Sequence, residues 1–257
     1  TATESALDKE TLHYSKSGSE TLPRALADEF RRLGGTILIE ANLSNISLTP
    51  CEASYVHEGQ EQSWQGSHII NTAPLHTLFS LLATDAPQAL HSAVAALKYK
   101  PTVVFAILVN TNECMTGQYT YYRNRTFHRV GEPKNAGLEV SPSDHTILVI
   151  EATCELEDYK WLGSDDYKNE IIAGLEEENI CQQEDIVEWN LMRSPHGYPI
   201  YTNGFDTHLS KLQAWIDQQG DLSSTGRQGG FCYPAMHTAM QLGKDAAQDI
   251  IDSTANP

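Results

Sequence analysis

No run of about 18 consecutive apolar residues occurs in this chain, so no segment has the composition of a membrane-spanning helix. The first residues, Thr1-Ala2-Thr3-Glu4-Ser5-Ala6, carry neither the basic patch nor the apolar core of a secretory signal. Cysteine is sparse. Cys51, Cys114, Cys154, Cys181 and Cys232 are odd in number and widely spaced with no C-x-x-C pair, which argues against a disulfide framework and a thiolate zinc site and fits a reducing cytoplasm. Basic residues are few as well: 17 Lys and Arg stand against 34 Asp and Glu. The resulting net charge of −17 repels phosphates at long range, so nucleic acid and anionic lipid are poor partners. The ten histidines include no H-x-H or H-x-x-x-H pair, and no serine lies in a G-x-S-x-G elbow. Neither a metal site nor a hydrolase triad is indicated.

What remains is a chain of 257 residues, 40% apolar, which can bury a core as one large domain or two modest ones. It opens on Thr1 rather than methionine and is expected to be a trimmed, processed or partial chain. From Ser19 to Leu33 the residues Leu22, Leu26, Phe30 and Leu33 form one helical stripe, ended by Gly34-Gly35. Strands are predicted over Thr36–Glu40, Asn42–Leu48, Ala53–Val56 and Ser67–Pro74, with a polar turn between Glu58 and Gly66. Helices are predicted over Leu75–Leu82 and Ala86–Leu97, then a β-branched strand over Thr102–Val109. Further strands over Tyr119–Tyr122, Phe127–Val130, Thr146–Cys154 and Asp185–Arg193 suggest an antiparallel sheet. Asp165–Asn179 and Phe205–Gln218 read as helices, and Pro195–Pro199 as a turn.

The last stretch is the most specific. Gly226-Arg227-Gln228-Gly229-Gly230-Phe231-Cys232-Tyr233-Pro234 leads into a helical pattern from Ala235 to Ile251. A glycine-rich turn opening a helix offers unpaired N–H groups at the positive end of a helix dipole, suited to an anionic or electron-rich ligand. Spacing alone leaves open an ordinary loop entering a packed terminal helix. In the middle of the chain Tyr119, Tyr121, Tyr122, Arg123, Arg125, Phe127, His128 and Arg129 form a basic and aromatic cluster. Strand alternation would put Tyr121, Arg123 and Arg125 on one face, either as a clamp for an anionic substrate or as a solvated face with cross-strand pairs.

Four stretches together resemble the C-terminal part of the FAD-dependent amine oxidase and protoporphyrinogen oxidase superfamily, near its galactopyranose-mutase-like branch. They are Tyr14 to Leu26 with its Leu22-Pro23 helix start; Gly34-Gly35 through Ile46; Ile69-Ile70-Asn71-Thr72-Ala73-Pro74-Leu75; and Gly226 through the last helix. Ser19 replaces the second glycine of the family's pair in the first of these. The resemblance implies an α/β fold of mixed α+β character: a substrate domain with an antiparallel sheet and helices, joined to the incomplete C-terminal part of an FAD-binding domain. Its implied divisions are 1–75 as partial FAD-binding region, 76–204 as substrate domain and 205–257 as the closing FAD segment with the terminal helix.

Carried over by position, the FAD contacts would be Leu43, Thr72, Pro74, Gly226, Arg227, Met236, His237 and Thr238. For Arg227 a surface salt bridge is the alternative, and for His237 helix capping is preferred to catalysis. Tyr198 and Tyr201 lie in a segment resembling the family's "YP-x-Y" near the active-site mouth, or are packing residues. Ala235 stands where amine oxidases place an aromatic residue, which disfavours a simple amine substrate.

The family opens with a strand, a G-x-G-x-x-G turn and a helix for the ADP moiety, and these 257 residues hold no such motif. The expectation is therefore a cytoplasmic FAD-dependent oxidoreductase part, removing hydride from a C–N or C–C bond of a small substrate. A separate N-terminal chain or a homo-oligomer would complete it, and without that half no cofactor is expected. The alternative is a truncated flavin-free homologue acting as a small-molecule binding protein or a non-redox isomerase or cyclase.

Overall fold

A computed structural model describes residues 13–82 and 85–255. The chain divides into two compact units: residues 1–37 with 102–194, and residues 38–101 with 195–257.

The first unit is built on a five-stranded sheet. In spatial order its strands are β6 (Tyr119–Tyr121), β7 (Arg129–Gly131), β8 (Thr146–Thr153), β5 (Lys98–Val109) and β9 (Ile186–Ile200). Antiparallel pairing joins β6 to β7, β7 to β8, and β8 to β5, the last from Thr102 opposite Thr153 to Val109 opposite Thr146. Alternation then sorts the side chains. Val103, Phe105 and Ile107 of β5, with Leu148, Ile150 and Ala152 of β8, are buried beneath helix α5 (Asp165–Glu177), which contributes Tyr167, Ile171 and Leu175. Each large side chain there contributes roughly 2 kcal/mol by leaving water. Ser164 caps α5 by accepting from the Tyr167 amide at 3.2 Å, and Asp158 caps the short α4 (Tyr159–Leu162) through the Trp161 amide at 2.7 Å.

Helix α1 (Thr21–Arg32) has the expected stripe, yet none of its residues is buried, and Leu22, Leu26, Phe30 and Leu33 are 40% to 70% exposed. Its charged face is held by short-range pairs such as Arg24 with Glu20 at 3.0 Å.

The second unit opens with the antiparallel meander β1 (Asn42–Leu48), β2 (Cys51–His57) and β3 (Gln60–Gln65). A two-stranded parallel sheet follows, in which β4 (Ile69–Asn71) pairs with β10 (Leu222–Ser224). Around these lie α2 (Leu75–Leu81), α3 (His91–Ala96), α6 (Phe205–Asp217), α7 (Gly226–Gly229) and α8 (Met236–Ala255). Leu75, Leu78, Leu97, Leu212, Leu222 and Phe231 are central to its core.

Three local readings are corrected. Thr36–Glu40 is not a strand: no described strand flanks it, and its apolar Leu38 and Ile39 are exposed. The polar stretch from Glu58 to Gly66 is not wholly turn. Glu58 and Gly59, with φ of 51° and 74°, make a tight hairpin, and the polar residues after them form β3. The proline-rich stretch from Pro195 to Pro199 is strand rather than turn, because β9 is an edge strand and a missing N–H can face outward there.

Candidate functional site

All eight residues expected to face a flavin fall in the second unit. Thr72 follows the C-terminal end of β4, and Pro74 stands immediately before α2. Gly226 and Arg227 follow β10, and Met236, His237 and Thr238 open α8. Leu43 lies in β1 beside a register shift between Leu43 and Asn45. That strand is an edge of its sheet, so one side of its backbone is unpaired within the sheet.

The parallel pair brings the two strand ends together. The Thr225 amide donates to the Asn71 carbonyl at 3.0 Å. Asn71, buried, donates through Nδ2 to Ala73 O at 2.9 Å and to Ser224 Oγ at 2.8 Å, while its Oδ1 accepts from the Ala73 amide at 3.2 Å. Ser224 Oγ in turn donates to Gly229 O at 2.8 Å. Sequence reasoning passed over Asn71 and Ser224. The available signal was a lone amide side chain inside an otherwise apolar, proline-stopped strand, since a buried Asn needs partners.

The glycines of the turn serve different ends. Gly226 has φ +79°, a conformation that glycine adopts without strain, and open space around its Cα. A Cβ on Gly229 would come within 2.7 Å of Asn71 O, and one on Gly230 within 2.6 Å of Gly226 O. These two are glycine because the turn folds tightly on itself.

The opening of α8 is different. Its first described helical bond runs from the Ala239 amide to Ala235 O at 2.9 Å, leaving the amides of Met236, His237 and Thr238 for an outside acceptor. In a 20-residue helix these three donors lie at the positive end of the dipole, and all three residues are exposed.

Arg227 is not a surface salt bridge. Its guanidinium lies 4.1 Å from the Tyr233 ring centroid and 5.3 Å from that of Tyr198, and its Nη2 donates to Gly197 O at 2.6 Å. Stacking on two rings holds the planar cation in place. Tyr201 packs on Phe205, centroids 4.7 Å apart, and remains exposed on its other side.

Beneath the turn, Tyr99 Oη donates to Gln228 O at 2.9 Å, and its ring meets His76 and His196 edge-on at 5.6 and 5.0 Å. Burial pushes the Tyr99 hydroxyl up to about 12 and lowers both histidines below the usual imidazole range. A depressed histidine pKa means that the unfolded chain binds protons more readily. The contribution of these two is therefore complete above the unfolded value near ~6.5 and is lost as pH falls through the folded values. His196→Gln is expected to flatten the loss of stability between pH 7 and 5, measured by urea titration. An unchanged slope would refute the assignment.

The anion clamp expected in the first unit is drawn differently by the structure. The strand carrying Tyr121 ends at that residue, so alternation does not extend to Arg123 and Arg125. Arg125 donates to Glu178 Oε1 at 2.9 and 2.6 Å and pairs with Glu177, both carboxylates on or beside α5. Arg123 is exposed in a bend. The cation that meets the two tyrosines of β6 is Arg129, which pairs with the buried Glu151 and lies 5.8 Å from the centroids of both Tyr119 and Tyr121. On the sheet face opposite α5 a cleft of about 370 Å3 is lined by Ala106, Leu108, Ile147, Glu188, Asn190 and Met192.

No protein-family model matches the chain, and no curated protein matches it. Solved structures do. A reduced UDP-galactopyranose mutase superposes with a TM-score of 0.70 at 19% identity, over 84% of this chain and 47% of that one. A protein assigned as a protoporphyrinogen oxidase from Exiguobacterium sp. 255-15 gives 0.69 at 16% identity, over 91% and 51%. Over these stretches the chain shares the fold of the two solved structures. Putrescine oxidase bound to putrescine gives 0.65 at 15% identity, over 91% and 53%. The chain thus spans about half the length of the solved structures it matches, and the shared part includes the mixed α/β architecture expected from the four motifs. Among the described residues no helix is long and apolar enough to cross a membrane.

Proposed function

We propose that this chain forms the closing part of an FAD-dependent oxidoreductase, in which the second unit faces the cofactor and the first supplies a substrate-facing sheet. The observation that carries the reading is the gathering of Thr72, Gly226 and Arg227 at the C-terminal ends of two parallel strands, where α/β proteins bind nucleotides. The residues fit such a group: free first-turn amides on α8, a positive-φ glycine turn, and an exposed Thr72.

FAD, when bound, supplies hydride acceptance from a C–N or C–C bond. Met236, His237 and Thr238 would offer backbone donors to negative charge, and Leu43 an open strand edge to a ring with donor and acceptor atoms. Arg227, stacked on Tyr198 and Tyr233, would hold its charge beside Gly226 without the entropy loss of a free side chain. For the substrate, the cleft beside Glu188, Asn190 and Met192 gives an apolar floor with a polar rim. Arg125 is already neutralised by two carboxylates, so an anion bound there would have to displace Glu177 and Glu178; Arg123 is exposed and forms no ion pair among the described residues, and Tyr121 accepts from Arg129 at 3.5 Å.

Purified from its source with any co-purifying chain, the protein is expected to release FAD on denaturation. If the native sample lacks flavin absorbance and the denatured sample yields no FAD, the oxidoreductase reading fails and the flavin-free binding protein or isomerase takes its place.

A further inference from the structure

Gly131, the last residue of β7, has no local reason to be glycine. Its φ is not positive, and a Cβ there would come no closer than 3.4 Å to Gln118 O, 3.5 Å to Tyr119 Cβ and 3.9 Å to Val149 O. Neither backbone conformation nor packing demands the residue. Glycine weakens a strand, and where it is kept it often marks a place that another group approaches closely.

The strand register shows what that group would meet. Tyr119, Gly131 and Val149 stand in one row across β6, β7 and β8, on the face turned away from α5, because the neighbouring row holds Val130 and Ile150, both buried in the core with α5. With no side chain in its middle, the row has a gap about 10 Å wide, two strand spacings, between Tyr119 and Val149. The gap opens into a cleft of about 270 Å3 that Tyr14, Gln118 and Arg129 also line. Tyr14 and Tyr119 are both exposed, and the segment carrying Tyr14 is held where the Glu139 amide donates to Lys16 O at 2.9 Å.

Arg129 sets the chemistry. Its guanidinium is matched by the buried Glu151, donates to Tyr121 Oη at 3.5 Å and lies 5.8 Å from the Tyr119 centroid. A cation already matched gains little from a second anion, and an anion would also meet the field of a chain of net charge −17. An uncharged acceptor escapes that field and can still take an N–H donor, while a flat ring can stack on tyrosine and guanidinium planes. The volume suits one or two fused rings rather than a drug-sized ligand. We infer that the cleft binds a planar, uncharged heteroaromatic ring, lying over Gly131 and accepting hydrogen bonds from Arg129. The site lies wholly within the first unit, and none of its residues is among those proposed to face the cofactor.

Caffeine is the probe, being flat and uncharged, with acceptors around its rim and no N–H of its own. Added to the full chain without flavin, it is expected to bind saturably at millimolar concentration and to shift the amide NMR signals of Tyr119 and Gly131. Gly131→Ala places a methyl group on the floor of the cleft with nothing nearer than 3.4 Å, so the melting temperature should hold while affinity falls roughly tenfold. Tyr119→Ala, which removes an exposed ring, should weaken binding by a similar roughly tenfold factor through lost stacking. Benzoate, flat but anionic, and methyl glucoside, uncharged but not flat, should bind roughly tenfold more weakly than caffeine. Equal binding by benzoate would make the cleft an anion site and equal binding by the glucoside a sugar site, and either overturns the inference. So does an absence of caffeine binding, binding that leaves the two amides unshifted, or binding that survives both substitutions. With no flavin present, failure here leaves the cofactor reading untouched, and a protein that holds no FAD leaves this site standing.

Discussion

Glu132→Ala is expected to lower the stability of the first unit by on the order of 4 kcal/mol, with faster hydrogen exchange at the Cys114 and Met115 amides. Glu132 lies just after β7 and is 0% exposed. Both carboxylate oxygens accept from the Cys114 amide at 3.1 Å, and the Met115 amide donates at 2.6 Å. Thr146 Oγ1 donates at 2.6 Å and Asn135 Nδ2 at 3.1 Å. One side chain thus ties the loop before β6, the turn after β7 and the first residue of β8. Removing it strands two backbone donors and a hydroxyl in a space that water enters poorly, while Asn135 Nδ2 keeps Met115 O and Gly117 O as acceptors. The loss exceeds that of a typical single hydrogen bond for this reason. Glu132→Gln keeps the volume but turns an NH2 group toward donors, and roughly half the penalty is expected. Chemical denaturation of both variants provides the check. A loss below about 1 kcal/mol for alanine would show that the loop finds other acceptors, and the structural role would be withdrawn.

The same unit shows how far sequence carries. Thr102–Val109 and Thr146–Cys154 are legible because β-branched and apolar residues there are set by one face buried beneath α5 and the other half-buried. β10 was not: Leu222-Ser223-Ser224 has one apolar residue, and its partner Ile69-Ile70-Asn71 lies about 150 positions away, so no local pattern announces the pairing. Polar β3 was invisible for the opposite reason, since both its faces are exposed and hydrogen bonding to β2 alone defines it. At the candidate site, the order of four motifs placed eight residues in what proves to be one compact unit. Their support was hidden. Nothing in the sequence says that Asn71 and Ser224 bind each other, that Arg227 stacks on Tyr198, or that Arg125 is consumed by Glu177 and Glu178. Such partners are long-range or side-chain facts, and periodicity reports neither.

Gly229→Ala separates the two glycine roles in the turn. Its added methyl would sit 2.7 Å from Asn71 O and 2.8 Å from Ser224 Oγ, a backbone atom and a short side chain that cannot swing away. Relief requires moving the turn off the strand ends, which strains or breaks the Thr225–Asn71 and Ser224–Gly229 bonds. Overpacking plus lost hydrogen bonding costs about 3 kcal/mol, and the turn proposed to face the cofactor is displaced with it. Gly226→Ala meets no atom, and its penalty of about 1 kcal/mol comes from φ +79° alone. Gly226→Asn should then recover part of that loss, because Asn tolerates left-handed backbone, whereas Gly229→Asn should be worse than alanine. Thermal denaturation of the four variants, with FAD retention measured on the reconstituted assembly, distinguishes them. At position 229 stability and retention should fall together. At position 226 retention should fall without a matching loss of stability, because in the proposed site that glycine would shape the approach to the ligand, and a Cβ there meets no atom. Equal effects at both positions would mean that the parallel strand pair does not set the turn, and the placement of the cofactor beside it would lose its physical basis.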